Sequence, residues 1–178
     1  IFSRVGNFFN IFFEKHLSFN LTNSQMKVIK EIRRDLGTGR QMNRLLQGDV
    51  GSGKTIVAFM TMLIAIDNKF QACLMAPTEI LAQQHYKSIK TLTNKLGLNV
   101  ALITGSTKKN NRSPILKDLK NGKINILIGT HTLIEDSIIF NNLGIAIIDE
   151  QHKFGVAQRS KLWKKNSLPP HILVMTAT

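Results

Sequence analysis

Acidic residues are scarce in this chain. Asp and Glu number 11 against 24 Lys and Arg, giving a net charge of +13 over 178 residues and a pI near 10.2. That balance suggests a polyanionic partner, since clustered Lys and Arg gain by releasing counterions from nucleic acid. Cysteine is scarcer still. The single Cys73 excludes a disulfide framework, and its place in the run Ala72-Cys73-Leu74-Met75 marks a buried strand residue. No apolar run reaches the roughly 18 residues of a membrane-spanning helix, and no secretory signal is visible, so no membrane partner is expected. Internal repeats and low-complexity tracts are also missing. The chain lacks an initiating methionine and stops directly after an expected strand, so it is expected to be a fragment of something longer. Its 43% hydrophobic content and mean hydropathy of −0.03 are those of one ordinary globular core.

What is present is dominated by Gly48-Asp49-Val50-Gly51-Ser52-Gly53-Lys54-Thr55, which follows the short stretch Arg44-Leu45-Leu46-Gln47. A GxxxxGK[ST] segment between a strand and a helix cradles phosphates. Its glycines let consecutive backbone N–H groups converge on phosphate oxygens. Lys54 supplies a mobile charge for the β- and γ-phosphates, and the Thr55 hydroxyl is placed to ligate Mg²⁺. The helix that follows directs its positive end at the same anion. The ligand expected is a nucleoside triphosphate with Mg²⁺; that it is ATP is what the resemblance given below implies.

A second signal stands at Gly144-Ile145-Ala146-Ile147-Ile148, an apolar run suited to a strand buried on both faces, which ends in Asp149-Glu150-Gln151-His152. A carboxylate at the end of such a strand can hold the metal, and its neighbour can orient the attacking water. Asp149 is assigned to the metal and Glu150 to the water. Basic residues cluster at Lys108-Lys109-Arg112, at Lys117/Lys120/Lys123, and from Lys153 through Arg159 and Lys161 to Lys164-Lys165. These are either nucleic-acid contacts or a solvated basic face, and their clustering favours contact.

Strands are expected near 44–48, 71–76, 99–104, 124–129, 144–149 and 171–176, alternating with helices near 22–36, 54–67, 78–95, 112–121 and 156–165. This alternation predicts an α/β domain with a mainly parallel sheet covered on both faces. The 54–67 helix is apolar nearly all round and should be central, whereas Leu81, His85, Tyr86, Ile89 and Leu92 form one buried face of an amphipathic helix. Linkers are expected at Gly37 to Gly39 and at Thr107 to Ser113. Six of the ten phenylalanines lie in the first 19 residues. Of these, Phe8, Phe9, Phe12 and Phe13 share helical spacing and are expected to pack on another domain rather than stack on bases.

Three strand ends offer small hydroxyl groups and free amides at one edge of the sheet. They are Thr78 and Glu79 after Ala76-Pro77, Gly105 and Ser106 after Thr104, and Thr130 and His131 after Gly129. Such groups suit contacts to a phosphate backbone, which position nucleic acid without reading its sequence. Thr78 with Glu79 also reads as a helix N-cap with a first-turn acid.

Together these residues resemble the first motor domain of superfamily 2 helicases, and within them the branch-migrating DNA helicases. The resemblance runs from about Phe19 to Thr178. Leu21-Thr22-x-x-Gln25 resembles the adenine-recognising Q motif, and Met42 to Thr55 the extended phosphate-loop signature. Ala76 to His85 is similar to motif Ia, Gly129 to Ile134 to motif Ib, Asp149 to His152 to motif II, and Met175-Thr176-Ala177-Thr178 to motif III. Phe154-Gly155-Val156-x-Gln158-Arg159 is shared with the transcription-repair coupling translocases, but Gln151 favours the branch-migrating group. Thr132 departs from the pattern, where alanine is more usual.

The resemblance implies a RecA-like P-loop NTPase domain over residues 19–178, acting on branched or duplex DNA such as forks and Holliday junctions. It also implies a second RecA-like domain with an arginine finger and an N-terminal wedge domain, both missing here, with residues 1–18 as a remnant of the connection to the wedge. Gln151, His152, Thr176 and Thr178 would couple the ATP site to DNA movement. A bacterial cytoplasmic, nucleoid-associated setting follows from the same resemblance. The alternatives are a motor of the transcription-repair coupling type, a transporter or metabolic NTPase, or a nucleotide-gated DNA-binding module without turnover.

Overall fold

The computed structural model describes residues 2, 5–17, 20–48, 53–149 and 156–177, the side chains of Val156 and Arg159 aside. Six strands, β1 (Asn43–Gln47), β2 (Gln71–Met75), β3 (Val100–Ile103), β4 (Ile126–Gly129), β5 (Leu143–Asp149) and β6 (His171–Thr176), form one sheet. Their spatial order is β1-β6-β5-β2-β4-β3, and every pairing is parallel. All carboxyl ends therefore lie along one edge, which is where open α/β sheets bind ligands. The inner strands are buried along nearly their whole length, as both-faced burial requires of their unbroken apolar runs.

Helices α1 (Asn7–Ile11), α2 (Asn23–Leu36), α3 (Lys54–Asp67) and α4 (Glu79–Asn94) complete one core with Leu74, Ile128, Ile147 and Leu173 of the sheet. Helices α5 (Lys109–Lys120) and α6 (Val156–Trp163), with the 3₁₀ turn His131–Ile134, cover the opposite face, where Cys73, Leu127, Ile148 and Val174 point. This alternation along each strand is the period-2 consequence of strand geometry.

Helix α2 starts on a capping box. The Thr22 hydroxyl accepts the Gln25 N–H at 3.1 Å, and the Gln25 side-chain oxygen accepts the Thr22 N–H at 2.9 Å. As expected, α3 is central, with eleven residues from Val57 to Asp67 buried.

Two expectations change. Helix α5 begins at Lys109, inside the expected linker, and contains Pro114. The proline reads locally as a helix entrance, yet the first turn forms ahead of it through Asn111 N–H and Arg112 N–H bonds to the Lys108 carbonyl. The aromatic segment folds onto this domain's own core instead of remaining exposed for another. Phe12 is fully buried, with its ring edge-on to Phe59 at 5.0 Å, and Phe9 is buried under Arg33. An α3 that is apolar all round needs cover on the side facing away from the sheet, and α1 with the following π turn (Phe12–His16) supplies it. Phe13 is the member of the group left exposed.

Candidate functional site

The sheet edge gathers the predicted groups in a definite order. Strand β1 delivers Gly48, whose N–H donates to the Thr176 carbonyl of β6 at 3.2 Å. On the other side of β6, Asp149 pairs in register with Met175. The phosphate loop, motif III and motif II thus occupy adjacent strand ends.

Gly53 precedes α3 with φ +82, a left-handed conformation that glycine adopts at little cost. A Cβ there would lie 2.1 Å from Gln25 Nε2, so the Q-motif glutamine rests against the loop's last glycine. Gln25 thereby has two attachments, the capping box and the phosphate loop. Lys54 and Thr55 open α3, half-buried, and the Lys54 ammonium donates to the Gly48 carbonyl across the loop. Asp49, Val50, Gly51, Ser52, Glu150, Gln151, His152 and Thr178 lie outside the described residues.

Asp149, the last residue of β5, has a side chain only 15% exposed. Its Oδ2 accepts a hydrogen bond from His85 Nε2 of α4 at 2.7 Å. Sequence placed His85 on the buried face of α4, but its partner lies 64 residues further along the chain, and nothing in the local pattern indicates it. Among the described residues no group of three or more His, Cys, Asp or Glu side chains gathers as a metal site. A carboxylate and a hydroxyl, Asp149 and Thr55, are hard oxygen donors that fit Mg²⁺, which keeps water and phosphate oxygens as its remaining ligands.

The candidate DNA edge continues across β2, β4 and β3. The Thr78 hydroxyl caps α4 by accepting the Leu81 N–H at 3.2 Å. Glu79 grips the turn after β3. One of its carboxylate oxygens accepts the Ser106 N–H and the other the Ser106 hydroxyl, both at 3.0 Å. An anion engaged in this way holds the Gly105-Ser106 turn rather than offering itself to a phosphate. The Ala76 N–H donates to the Gly129 carbonyl at 2.8 Å, which locks the β2 end to the β4 end. Thr130 is buried, its hydroxyl meeting that of Thr132 at 3.3 Å, whereas His131 is exposed. The hydroxyl of Thr130 therefore organises the turn, and the surface it presents is that of His131.

The basic clusters divide by environment. Lys108, Lys109, Lys117, Lys120, Lys123, Lys161 and Lys164 are exposed. Arg112 is committed to Glu135 at 2.7 Å and to Ser137 at 3.1 Å. Lys165 donates to the Ile138 carbonyl at 2.8 Å and to the Glu135 carbonyl, and burial pulls its pKa down.

By fold and site this is a phosphate-loop domain of the RecA-like α/β kind. The chain belongs to the DEAD/DEAH box helicase family, whose sequence profile matches residues 22–178. It is 53% identical over 163 residues to the ATP-dependent DNA helicase RecG of Aquifex aeolicus, covering 91% of this chain and 21% of that protein. Bacillus subtilis RecG is 51% identical over 166 residues, covering 93% of this chain and 24% of that protein. The chain thus spans about a quarter or less of the length of these curated relatives. A solved structure of RecG bound to a three-way DNA junction matches with TM-score 0.80 and 44% identity, covering 92% of this chain and 22% of that one. The helicase MrfA matches with TM-score 0.71 at 20% identity, a likeness of fold. No helix among the described residues is long and apolar enough to cross a membrane.

Proposed function

We propose that this chain is the ATP-binding motor half of an ATP-dependent DNA helicase that remodels branched DNA. The observation that carries the reading is the shared sheet edge. Gly48, Lys54, Thr55, Asp149 and Thr176 stand at one part of it, and Thr78, Ser106 and His131 stand on the next strand ends. Lys54 and the loop amides bind the triphosphate, Thr55 and Asp149 hold Mg²⁺, and Glu150 orients the attacking water. Gln25 bounds the nucleotide beside Gly53. Thr78, Gly105, Ser106 and His131, with Glu79 and Thr130 as their braces, form the track for a DNA backbone. Gln151, His152, Thr176 and Thr178 link the two regions. Relatives named as ATP-dependent DNA helicases, one of them solved on a three-way junction, support this assignment.

Hydrolysis by the chain alone is expected to be slow, because an arginine finger supplied from elsewhere contributes roughly 10³–10⁵ in rate. The test is titration of a fluorescent ATP analogue and, separately, of a fluorescein-labelled three-way DNA junction. Lys54→Ala should weaken nucleotide binding at least about tenfold and leave junction affinity within twofold. Junction affinity should fall steeply with salt and be indifferent to base sequence. Unchanged nucleotide affinity in Lys54→Ala, or salt-independent DNA binding, would overturn the reading.

A further inference from the structure

The geometry points to His85 as a positioning residue that ties the metal-holding carboxylate of Asp149 to the DNA-facing end of α4. This inference rests on the ATP- and DNA-binding reading above and assigns a part to a residue outside the phosphate loop and the motif II carboxylates.

Three observations carry it. First, His85 Nε2 donates to Asp149 Oδ2 at 2.7 Å, with both side chains about 15% exposed, so the pair is largely shielded from water. A carboxylate at a strand end rotates freely unless something holds it. An N–H donor on one oxygen fixes the plane of the group and leaves the other oxygen for the ion's coordination shell. Second, His85 sits two turns along the helix that Thr78, a candidate DNA contact, caps. Thr78 caps α4 and Glu79 grips Ser106, so α4 begins on the DNA edge and reaches Asp149 about 10 Å later. Third, Ala82 and Ile89 on the same helix are fully buried in the core. The unbroken backbone of α4, rather than this burial, carries a shift at the Thr78 end to His85. Linkage makes the coupling reciprocal: if DNA alters the metal site through His85, the metal–nucleotide complex alters DNA affinity by the same factor.

The experiment measures Mn²⁺ binding by its electron spin resonance signal in the presence of ADP, with and without saturating forked DNA duplex. It compares the unaltered chain with His85→Leu and His85→Gln. Leucine keeps the apolar bulk and removes the donor; glutamine restores an N–H. Outer-shell partners typically contribute 10–100-fold to metal affinity, so His85→Leu should weaken Mn²⁺ about tenfold while metal-free ADP affinity stays within twofold. His85→Gln should recover most of the loss, and forked DNA should shift Mn²⁺ affinity in the unaltered chain but not in His85→Leu. Should Mn²⁺ affinity be unchanged in His85→Leu, or DNA shift it equally in both proteins or in neither, the inference is overturned and His85 is a packing residue. If the unaltered chain binds no ADP, the proposed function itself fails, an outcome distinct from any of these. Cys73 protection from thiol reagents reports the folding of each variant, and if His85→Leu does not fold, His85→Met, a second apolar side chain without an N–H donor, takes its place with the same supporting and overturning outcomes.

Discussion

Asp67 Oδ2 accepts the Gly6 N–H at 3.0 Å, across 61 residues of sequence. The same carboxylate takes the Phe8 and Phe9 N–H groups at 3.0 and 3.1 Å, so the last residue of α3 caps the first helix of the chain. Negative charge at a helix N-terminus satisfies its orphan donors and its dipole together. Asp67→Ala should cost about 2 kcal/mol, read as a lower urea midpoint, with increased binding of a hydrophobic dye as Phe9 and Phe12 loosen. Gly6→Ala should act in the same direction, since its Cβ would lie 3.0 Å from the Asp67 carboxyl carbon. An unchanged midpoint in Asp67→Ala would show that the aromatic segment is held by packing alone.

Cys73 gives a probe of global opening. Burial pushes its thiol up to about 12, partly countered by the Lys165 charge, so the reactive thiolate is absent at neutral pH. In the native protein, labelling by a disulfide reagent should be slower than for a free thiol by several orders of magnitude and should accelerate in step with urea unfolding. Fast labelling of the folded chain would contradict the burial of β2.

Acid should destabilise the fold through His171. This ring is buried behind Met42, whose N–H donates to Nδ1 at 2.8 Å, and burial lowers its pKa from 6.5 to about 4. Between those values the unfolded chain binds a proton that the folded one refuses. The ring's contribution to stability is therefore complete above pH 6.5 and declines as pH falls toward 4. His171→Gln keeps an acceptor for Met42 without a titrating group, so its urea midpoint should change less between pH 7 and pH 5 than that of the unaltered chain. Parallel curves for the two proteins would remove His171 from the account.

Gly129 tolerates no side chain. A Cβ there would stand 2.2 Å from the Ile103 carbonyl and 2.7 Å from Leu133, and the first of these is backbone of a neighbouring strand. Gly129→Ala should cost about 3 kcal/mol, measured by thermal or urea unfolding, and should weaken DNA binding by disturbing Thr130 and His131. Stability within about half a kcal/mol of the unaltered chain would mean that β3 and β4 shift apart easily.

Much of this was legible in the sequence. The strand expected at 171–176 matches His171–Thr176, the helix expected at 54–67 matches Lys54–Asp67, and the others differ at their ends. These elements carry their signal locally, as unbroken β-branched runs or as an apolar helix behind a glycine turn. The contacts that organise the site are not local. His85 finds Asp149, Glu79 finds Ser106, and Asp67 finds the chain's first helix only after the sheet has ordered its strands as β1-β6-β5-β2-β4-β3. Helicity at Phe8 to Phe13 was readable, but where that segment docks depended on which flank of α3 the sheet left bare.

The parallel sheet also has a mechanical meaning. Its strand ends run from the phosphate loop on β1 to the Ser106 turn on β3, five strand spacings or about 24 Å apart. Every neighbouring pair is tied by backbone hydrogen bonds, so the assembly behaves as a stiff plate that resists shear between its strands. A displacement at one flank is therefore carried across the sheet to the other, so the Gly48 end of β1 and the Ser106 turn stand at opposite ends of one stiff body.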